Sequence, residues 1–558
     1  MSEKDPSFAT GSPRFADARL AALAASEGAL AAWRQAFASG STAAEVLAGV
    51  KGRFSVGLQL ADGRCLLAVD RFSLDSLCYR LDAGKLRFAA RADALATAEP
   101  ELDPQAIFNY LYFHVIPSPR TIYRGVQRLP AGHLAVFDAG SLSVEPYWVP
   151  DFIDDGRESF EVLAKEFKGV LRHAVQSQLD GSKPACFLSG GTDSSTVAGM
   201  LGQVADRQAA SYSIGFDADG YDEMEYARLA ARHFKTEHHE YYVTPADLVA
   251  SIPSVAAHYD QPFGNSSALP AYYCAKMARE DGVTRILAGD GGDELFGGNT
   301  RYAKQTVFDL YNSIPAALRH GVMEPVSSNS LVRRIPLIKK GASYVNQAKV
   351  PMPDRLMTYN LLFHLGLQEV LTPQLLAAVN IEDPAQQQRA LWPQARTGNL
   401  VNRMLAFDWR YTLADCDLPK VVGTTGLAGL SVGFPMLDDD LLAFSERLRP
   451  DFKLKGTRLR WFFKEALRGF LPDEIITKKK QGFGLPFGVW TTRNAELKAL
   501  ASRSLHGLAD RGIVRREFVS QLLDHRLNEH AGYFGEMVWI LMMLEQWLVA
   551  KAPNYRLG

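Results

Sequence analysis

Residues 184–205 read PACFLSGGTDSSTVAGMLGQVA, an apolar run that breaks at two glycines before a Ser/Thr/Asp cluster opens a helical pattern. The same change from strand to helix recurs in ASYSIGF (210–216) followed by EMEYARLAARHF (223–234), and in VTRILAGDGG (283–292) followed by ELFGGNTRYAKQ (294–305). Strands that alternate with helices of this length are typical of right-handed crossovers between parallel strands. We therefore predict an α/β fold with a doubly wound parallel sheet and helices on both of its faces.

The N-terminal part of the chain has a different pattern. Residues 15–38 are rich in alanine, with Leu and Phe at helical spacing, and predict one or two surface helices. From about residue 51, short apolar runs alternate with the turn signals DG and AG. This alternation favours an antiparallel sheet.

The length of 558 residues exceeds what a single hydrophobic core supports, so two or more domains are expected. Residues 149–159, VPDFIDDGRES, read as a polar linker between the two patterns. We place one domain at residues 1–150 and a second at residues 151–558, the latter mostly helical from about residue 305.

Composition disfavours several functional classes. The 61 basic and 62 acidic residues give a formal net charge of -1, so the chain has no overall field for nucleic acid or an anionic membrane. The five cysteines are widely spaced without a CxxC pair, which favours neither a zinc site nor a disulfide framework. No stretch has the apolar character of a signal peptide or the roughly 18 residues of a membrane span. We expect a cytoplasmic protein with no nucleic-acid and no membrane partner.

The loop SGGTDSS follows the first predicted parallel strand, at the sheet edge where ligands bind. Glycines permit a tight turn, and the N-terminus of the next helix presents N–H groups and a positive dipole end. These features predict a cradle for a phosphate chain. The alternative is a plain strand-to-helix turn in which Ser194 or Ser195 caps the helix.

A second glycine-rich segment, GDGGDELFGG, follows another predicted strand and carries Asp290, Asp293 and Glu294. Carboxylate oxygens are the ligands that Mg²⁺ prefers, and Asp193 of the first loop could share the ion. The alternatives are a flexible acidic turn or a Ca²⁺ loop, although the spacing does not fit the EF-hand pattern. The two loops together favour a nucleotide site.

The first loop lacks the lysine and the spacing of GxxxxGK[ST] and resembles the SGGxDS loop of enzymes that cleave ATP between its α and β phosphates. Further segments extend this resemblance: SIGFDADGYDEMEYARLAARHF, HYDQPFGNSSALPAYY and KKKQGFGLPFGVW. Taken together, the chain resembles the asparagine synthetase family over most of residues 50–550. The resemblance implies a glutaminase-like N-terminal domain of the N-terminal-nucleophile type, followed by an ATP-pyrophosphatase synthetase domain.

The resemblance also implies the chemistry, its cofactors and the site residues. A carboxylate attacks ATP in the presence of Mg²⁺, pyrophosphate leaves, and ammonia or an amine converts the acyl-adenylate into an amide. The implied pyrophosphate and Mg²⁺ ligands are Ser189, Gly190, Gly191, Asp193 and Ser194, with Asp293 as the second metal carboxylate. Leu188, Ile214 and Gly289 are expected to frame the adenine, and Asp290 to receive a proton from the incoming amine.

Lys480 in KKKQGFG matches the family lysine that stabilises the transition state of adenylation. The alternative is a solvated basic run at a helix end. For the adjacent pair His238 and His239, ordinary packing or hydrogen bonding is expected rather than a metal site, because neighbouring strand residues face opposite ways.

The resemblance fails at the glutaminase centre. Where the family has a nucleophilic cysteine after the initiator Met, this chain has Ser2, and nothing resembling NGEIYN lies between residues 2 and 50. Where the family has SDxE, this chain has TAAE, with Ala43 in place of the aspartate. We expect a degenerate glutaminase domain that releases no ammonia.

A second departure lies in KVVGTTGLAGLSVGFPMLD, which aligns with the family pattern K-V-D-R-x-S-M-A-x-x-L-E-x-R-x-P-F-L-D. Lys420, Pro435 and Asp438 match, whereas four charged positions have become Val422, Gly423, Ser431 and Gly433. These changes suggest an acceptor site for a substrate less polar than aspartate.

The leading interpretation is an ATP-dependent, AMP-forming amide ligase that acts on a small-molecule or peptide carboxylate with ammonia or an amine. An intramolecular cyclase like β-lactam synthetases or lasso-peptide cyclases is an alternative within this class. A nucleotide-binding regulator without turnover and a tRNA-modifying pyrophosphatase are alternatives from other classes. The sequence leaves both substrates and the oligomeric state open, a homodimer included.

Overall fold

The computed structural model describes residues 5–38, 42–218, 220–309, 344–479 and 484–557, together with the single positions 311, 314, 315, 318 and 319. Within these residues, no helix combines the length and the apolar content that a membrane crossing requires.

The N-terminal part is built from antiparallel sheets, as predicted. Its main sheet has the strand order β1-β4-β5-β9-β10. Two smaller sheets consist of the pair β2-β3 and of three strands in the order β7-β6-β8. The strands are β1 Phe8–Gly11, β2 Arg14–Phe15, β3 Val50–Lys51, β4 Phe54–Gln59, β5 Cys65–Val69, β6 Cys78–Asp82, β7 Lys85–Ala89, β8 Val126–Arg128, β9 His133–Asp138 and β10 Ser141–Pro146. The helices of this part are α1 Ala18–Glu27, α2 Ala29–Ala38, α3 Ala43–Ala48 and α4 Pro104–Phe113.

The helices predicted at residues 15–38 form as α1 and α2, which differ in how much they bury. α1 buries no residue, but α2 packs onto the main sheet, with Trp33 fully buried. The Trp33 ring stacks on Phe37 and meets Phe54 of β4, with ring centroids 5.6 and 5.1 Å away. α2 is therefore a surface helix that buries one apolar stripe and leaves Arg34 and Gln35 exposed.

The second part contains the predicted parallel sheet. Five strands follow the order β13-β12-β11-β14-β15, and every neighbouring pair is parallel. They are β11 Ala185–Phe187, β12 Ala210–Phe216, β13 Glu237–Val243, β14 Arg285–Leu287 and β15 Ser431–Gly433, and a short hairpin joins β16 Leu454–Lys455 to β17 Arg458–Leu459. β11, β12 and β14 are the strands that the repeated strand-to-helix pattern predicted. β15 returns to the sheet from far along the chain.

Helices surround this sheet and form the C-terminal part, also as predicted. Those up to residue 309 are α5 Phe160–Gln176, α6 Thr192–Val204, α7 Met224–Phe234, α8 Pro245–His258, α9 Ala268–Glu280, α10 Gly292–Phe296 and α11 Thr300–Asp309. Those from residue 361 are α12 Leu361–Leu365, α13 Leu367–Val370, α14 Pro373–Ala378, α15 Asp383–Leu391, α16 Leu400–Asp408, α17 Leu418–Leu427, α18 Asp439–Arg447, α19 Pro450–Lys453, α20 Trp461–Ala466, α21 Asp473–Thr477, α22 Phe487–Arg493, α23 Ala495–Asp510, α24 Arg516–Gln521, α25 Leu527–Glu529 and α26 Ala531–Lys551. Residues 409–417 and 522–526 continue their helices in π geometry.

Local sequence explains where these helices begin and which faces they bury. Ser159 caps α5 by accepting a hydrogen bond from the N–H of Val162, and Leu163, Phe167 and Leu171 form its buried stripe at helical spacing. In contrast, α26 is apolar on nearly all sides and buries every residue from 537 to 545. A helix with this pattern belongs in the interior.

The segment predicted as a polar linker, residues 149–159, is packed against the helical part. The Phe152 ring lies 5.1 Å from that of Trp409. The Asp154 carboxylate accepts hydrogen bonds from the Thr397 hydroxyl and the Asn402 amide. The polar residues of this segment therefore anchor it rather than keep it solvated.

Ion pairs join the N-terminal sheets to the parallel-sheet part. Three consecutive aspartates, residues 438–440, lie at the start of α18 and pair with Arg14, Arg71 and Lys51 at 2.9, 2.6 and 2.7 Å, respectively. Carboxylates at a helix N-terminus are also favoured by the helix dipole.

Candidate active site

A cavity of about 760 Å³ lies at the carboxyl ends of β11, β12 and β14. This is the edge of a parallel sheet at which ligands bind. The cavity brings together most of the predicted site residues: Leu188, Ser189, Gly191, Asp193, Ser194, Ile214, Gly289, Asp290 and Asp293. Lys480 lies outside the described residues.

The loop after β11 is held by its own serines. The Ser194 hydroxyl oxygen accepts from the N–H of Ser189 at 3.1 Å and lies 3.0 Å from the Ser189 hydroxyl. Gly190 has a positive φ of 70° and does not line the cavity, because it packs against α7. A Cβ atom there would lie 2.5 Å from the backbone nitrogen of Ala227. Gly190 thus allows the loop to turn tightly against a neighbouring helix.

The N-terminus of α6 forms the wall of the cavity behind this loop. Its N-cap is Gly191, which has no side chain to bond the first-turn N–H groups, so neither Ser194 nor Ser195 caps the helix. The second loop approaches closely, because a Cβ on Gly289 would lie only 2.8 Å from the backbone nitrogen of Ser194. Helix N-termini attract anions through their N–H groups and dipole. The two glycine-rich loops therefore lie against each other and form one wall of the cavity at this helix N-terminus.

Asp193 and Asp293 are brought together by an arginine that the sequence did not indicate. Nη1 of Arg460 lies 2.8 Å from a carboxylate oxygen of Asp193 and 2.8 Å from one of Asp293. Nη2 donates a further hydrogen bond to Asp193, and Nη1 also reaches the Thr192 hydroxyl. The predicted metal carboxylates thus converge on one point.

Arg460 is placed by the fold and not by a local motif. Its backbone is left-handed, with φ of 54°, immediately before α20, and its guanidinium carbon lies 4.3 Å from the ring centre of Phe463. Burial acts to lower the pKa of the guanidinium, but the carboxylates of Asp193 and Asp293 outweigh burial and raise it above its ordinary value. Arg460 is therefore a permanent cation at the centre of the site.

The donor set at this point suits Mg²⁺. Asp193 and Asp293 offer carboxylate oxygens that contact a common nitrogen atom, and hard divalent cations take such oxygen ligands together with phosphate oxygens. Asp193 and Asp293 would hold the ion, with Arg460 beside them.

Further cations line the cavity besides Arg460. Lys478 pairs with Glu223 at 2.8 Å, and its ammonium lies 4.3 Å from the ring centre of Tyr226. The side chain of Lys478 is only 10% exposed, so a solvated basic run does not describe this residue. Burial and the nearby Arg460 lower the pKa of Lys464.

Asp290 faces a different set of charges. The ammonium of Lys420 lies 3.4 Å from a carboxylate oxygen of Asp290 and 3.3 Å from one of Asp417. Burial raises the pKa of Asp290, while Lys420 acts in the opposite direction. Asp290 is thus a carboxylate poised to hold a proton at a higher pH than an exposed aspartate.

The four changed positions of the KVVGTTGLAGLSVGFPMLD segment lie outside the cavity lining. None of Val422, Gly423, Ser431 and Gly433 lines the cavity, although Lys420 and Val421 do. The ring of Tyr259 occupies the space beside Gly423, where a Cβ would lie 2.5 Å from a ring carbon. Ser431 and Gly433 belong to the edge strand β15. The reshaped acceptor site inferred from these positions stays a prediction.

The histidine pair is engaged outside the cavity. Nδ1 of His238 lies 2.9 Å from the Ser211 hydroxyl, and the His239 ring stacks on Tyr212. His239 also lies near Glu237 and Asp281, where the ammonium of Lys183 already supplies a positive charge.

Comparisons with known proteins show which families this chain is similar to. Residues 166–549 match the Asparagine synthase family model, and residues 34–148 match that of the Glutamine amidotransferase domain. The chain is 22% identical to "Asparagine synthetase [glutamine-hydrolyzing] 1" of Bacillus subtilis (strain 168), over 86% of this chain and 74% of the relative. It is 26% identical to a "Putative asparagine synthetase [glutamine-hydrolyzing]" of Mycobacterium tuberculosis (strain ATCC 25618 / H37Rv), over 90% and 77%. It is 21% identical to "Amidase chry2" of Gibberella zeae, over 87% and 77%.

Proposed function

Because the chain belongs to the asparagine synthase family of ATP-dependent amide ligases, we propose that it forms amides from an external or substrate-borne amine without glutaminase activity of its own. The observation that carries the proposal is the convergence of the α6 N-terminus, Asp193, Asp293 and Arg460 on one cavity at the sheet edge.

The proposed reaction has two steps. A carboxylate oxygen of the substrate forms a bond to the α-phosphorus of ATP, and the bond from that phosphorus to the bridging oxygen of the β phosphate breaks, so that pyrophosphate leaves. The amine nitrogen then bonds to the acyl carbon, the acyl–oxygen bond breaks, and AMP leaves. One proton leaves the nitrogen in the second step, and overall the substrates become an amide, AMP and pyrophosphate.

The residues of the cavity have separate roles in this proposal. The Ser189–Ser194 loop and the α6 N-terminus hold the pyrophosphate, and Arg460 stabilises negative charge on it. Mg²⁺ bound by Asp193 and Asp293 would supply further charge neutralisation. Asp290 receives the proton of the attacking amine. Leu188 and Ile214 frame the adenine, and Lys480 stabilises the adenylation transition state.

The lack of glutaminase activity is proposed from the N-terminal part. The match to the amidotransferase model begins at residue 34 and does not extend to Ser2, which lies outside the described residues. In TAAE, Thr42 accepts from the N–H of Glu45, whose carboxylate accepts from the N–H of Thr42. These residues form a capping box that starts α3. A helix cap explains TAAE without a role in binding glutamine.

The experiment that tests the proposed function measures pyrophosphate release from ATP and Mg²⁺ with a panel of carboxylates, with and without ammonium. We expect release that depends on the carboxylate and yields AMP. Amide formed without any added amine would identify the intramolecular cyclase reaction. Tight binding of ATP without pyrophosphate release across the panel would favour a regulator.

A further inference from the structure

One wall of the cavity, here named the acceptor wall, carries two carboxylates and one ammonium group. It consists of the loop after β14, the start of α9, the π-helical residues 409–417 and the first turn of α17. Its apolar side chains include Pro270, Leu413 and Val421, and its charged side chains are Asp290, Asp417 and Lys420.

The charges of the acceptor wall do not cancel. Lys420 is shared between Asp290 and Asp417, at 3.4 and 3.3 Å, and its side chain is only 14% exposed. Asp417 also accepts a hydrogen bond from the Asn265 amide at 3.1 Å. The amide is neutral and leaves the charge of Asp417 unchanged. Two carboxylates against one ammonium give the wall a formal charge of −1.

Among the described basic residues of the cavity lining, only Lys420 forms an ion pair with the carboxylates of the acceptor wall. The other described basic residues of the lining all belong to residues 458–479. Among them, Arg460 is held by Asp193 and Asp293, and Lys478 by Glu223. A substrate that brought another carboxylate to this wall would meet two aspartates and one lysine that is already shared.

We propose that the substrate is an amino-carboxylate with an ammonium group and only one carboxylate, the one that is activated, and that Asp417 binds the ammonium. This inference rests on the proposed function, because it takes the carboxylate at the phosphate loop as the reacting one. The substrate's positive charge neutralises the acceptor wall, whereas an amino-dicarboxylate such as aspartate leaves the wall negative. The apolar side chains Pro270, Leu413 and Val421 pack against the substrate's carbon chain.

Matched pairs of compounds test this selectivity. β-Alanine is L-aspartate without its α-carboxylate, and 4-aminobutanoate is L-glutamate without its α-carboxylate, so each pair differs by one negative charge at constant spacing between the ammonium and the reacting carboxylate. We expect kcat/KM for pyrophosphate release to be at least about tenfold higher for the decarboxylated member of each pair, since placing like charges side by side disfavours binding. Faster release with aspartate and glutamate would overturn the proposal.

The role of Asp417 is tested with Asp417→Asn. We expect the ratio of kcat/KM between the two members of a pair to fall about tenfold in this variant. The KM for ATP should stay within a few fold of wild type. Glu465→Gln is the matched control, because Glu465 lines the same cavity but pairs with Arg458 and Arg468. A preference that is equal in wild type and Asp417→Asn would exclude Asp417 as the ammonium contact.

A binding measurement separates this inference from the proposed function. The thermal stability of the protein is measured with Mg²⁺, α,β-methylene-ATP and each member of the pairs. If β-alanine or 4-aminobutanoate stabilises wild type but not Asp417→Asn, the substrate class is supported. If, in addition, no pyrophosphate is released from ATP, the substrate class stands and the proposed ligase function fails. Absence of both stabilisation and turnover for every compound contradicts the substrate class.

Discussion

Arg460 donates hydrogen bonds from a single guanidinium nitrogen to Asp193 and to Asp293, 2.8 Å from each. The carboxylates come from loops 100 residues apart in the sequence, and the arginine comes from a third segment. This contact neutralises charge that would otherwise repel across the cavity.

Replacing this cation should destabilise the protein. Arg460→Met leaves two partly buried carboxylates without their shared partner, and we expect the free energy of unfolding to fall by about 3 kcal/mol. Added Mg²⁺ should recover more stability in this variant than in wild type, because the ion can take the place of the arginine. The measurement is the melting temperature with and without Mg²⁺. Arg458→Met, which removes an arginine whose side chain is 63% exposed, is the control and should change little. Equal behaviour of the two variants would contradict the bridging role.

Removing either metal carboxylate should nearly abolish turnover. Asp193→Asn and Asp293→Asn each take one charge from the proposed Mg²⁺ site, and we expect pyrophosphate release to fall by about a hundredfold or more, as for the loss of one preorganised electrostatic contact. Asp180→Asn is the control, because Asp180 precedes β11 at the opposite end of that strand. Near-normal rates for both site variants at low Mg²⁺ would exclude a shared ion.

Lys480 should contribute to chemistry and little to ATP affinity. Binding energy that is equal in the ground and transition states does not accelerate a reaction, so Lys480→Ala should bind ATP within a few fold of wild type. Its turnover should fall by about a hundredfold. Calorimetry measures the affinity, and pyrophosphate release measures the turnover. Lys498→Ala is the control, because Lys498 is exposed on α23 and does not line the cavity. Lys478→Ala and Lys479→Ala are not suitable controls, because both residues line the cavity. A Lys480→Ala variant with the same turnover as wild type would remove Lys480 from the mechanism.

Activity should decline on the acidic side through the titration of Asp290. Burial raises the pKa of this carboxyl above its usual value, and only the ionised form can accept the amine's proton. The rate of amide formation should therefore be full above the raised pKa and fall as pH decreases through it. Asp290→Asn should lower the rate and remove this dependence, whereas Asp290→Glu should retain it. An identical acidic limb in wild type and Asp290→Asn would assign the titration to another group.

Glutamine should not serve as a nitrogen donor. On the proposal that Ser2 and Ala43 stand where the family has its nucleophile and its amine-binding residue, purified protein should release no glutamate from glutamine. Ser2→Ala should leave turnover with its own amine substrate unchanged. Glutamate release that keeps pace with pyrophosphate release would refute the degenerate glutaminase.

The sequence by itself determined the parallel sheet and the position of the phosphate loop. Both depend on local signals: an apolar run of strand length, glycines at its end and a helical period after it. These signals predicted β11, β12 and β14 and placed Asp193, Asp290 and Asp293 at one sheet edge, because the carboxyl ends of parallel strands meet there.

Only the tertiary structure decided what surrounds those carboxylates. Arg460 and Asp417 belong to helical segments whose approach to the sheet depends on packing between residues far apart in the chain, and no local period encodes that approach. The same holds for Trp33, whose burial requires the main sheet beside α2. Four charge losses in one aligned segment predict a change in the acceptor site, and only the fold shows that two of those positions lie on β15, the outermost strand of the parallel sheet. The amino-acid sequence shows which residue types a site can contain. The distances between those residues depend on contacts that form only when the whole chain folds.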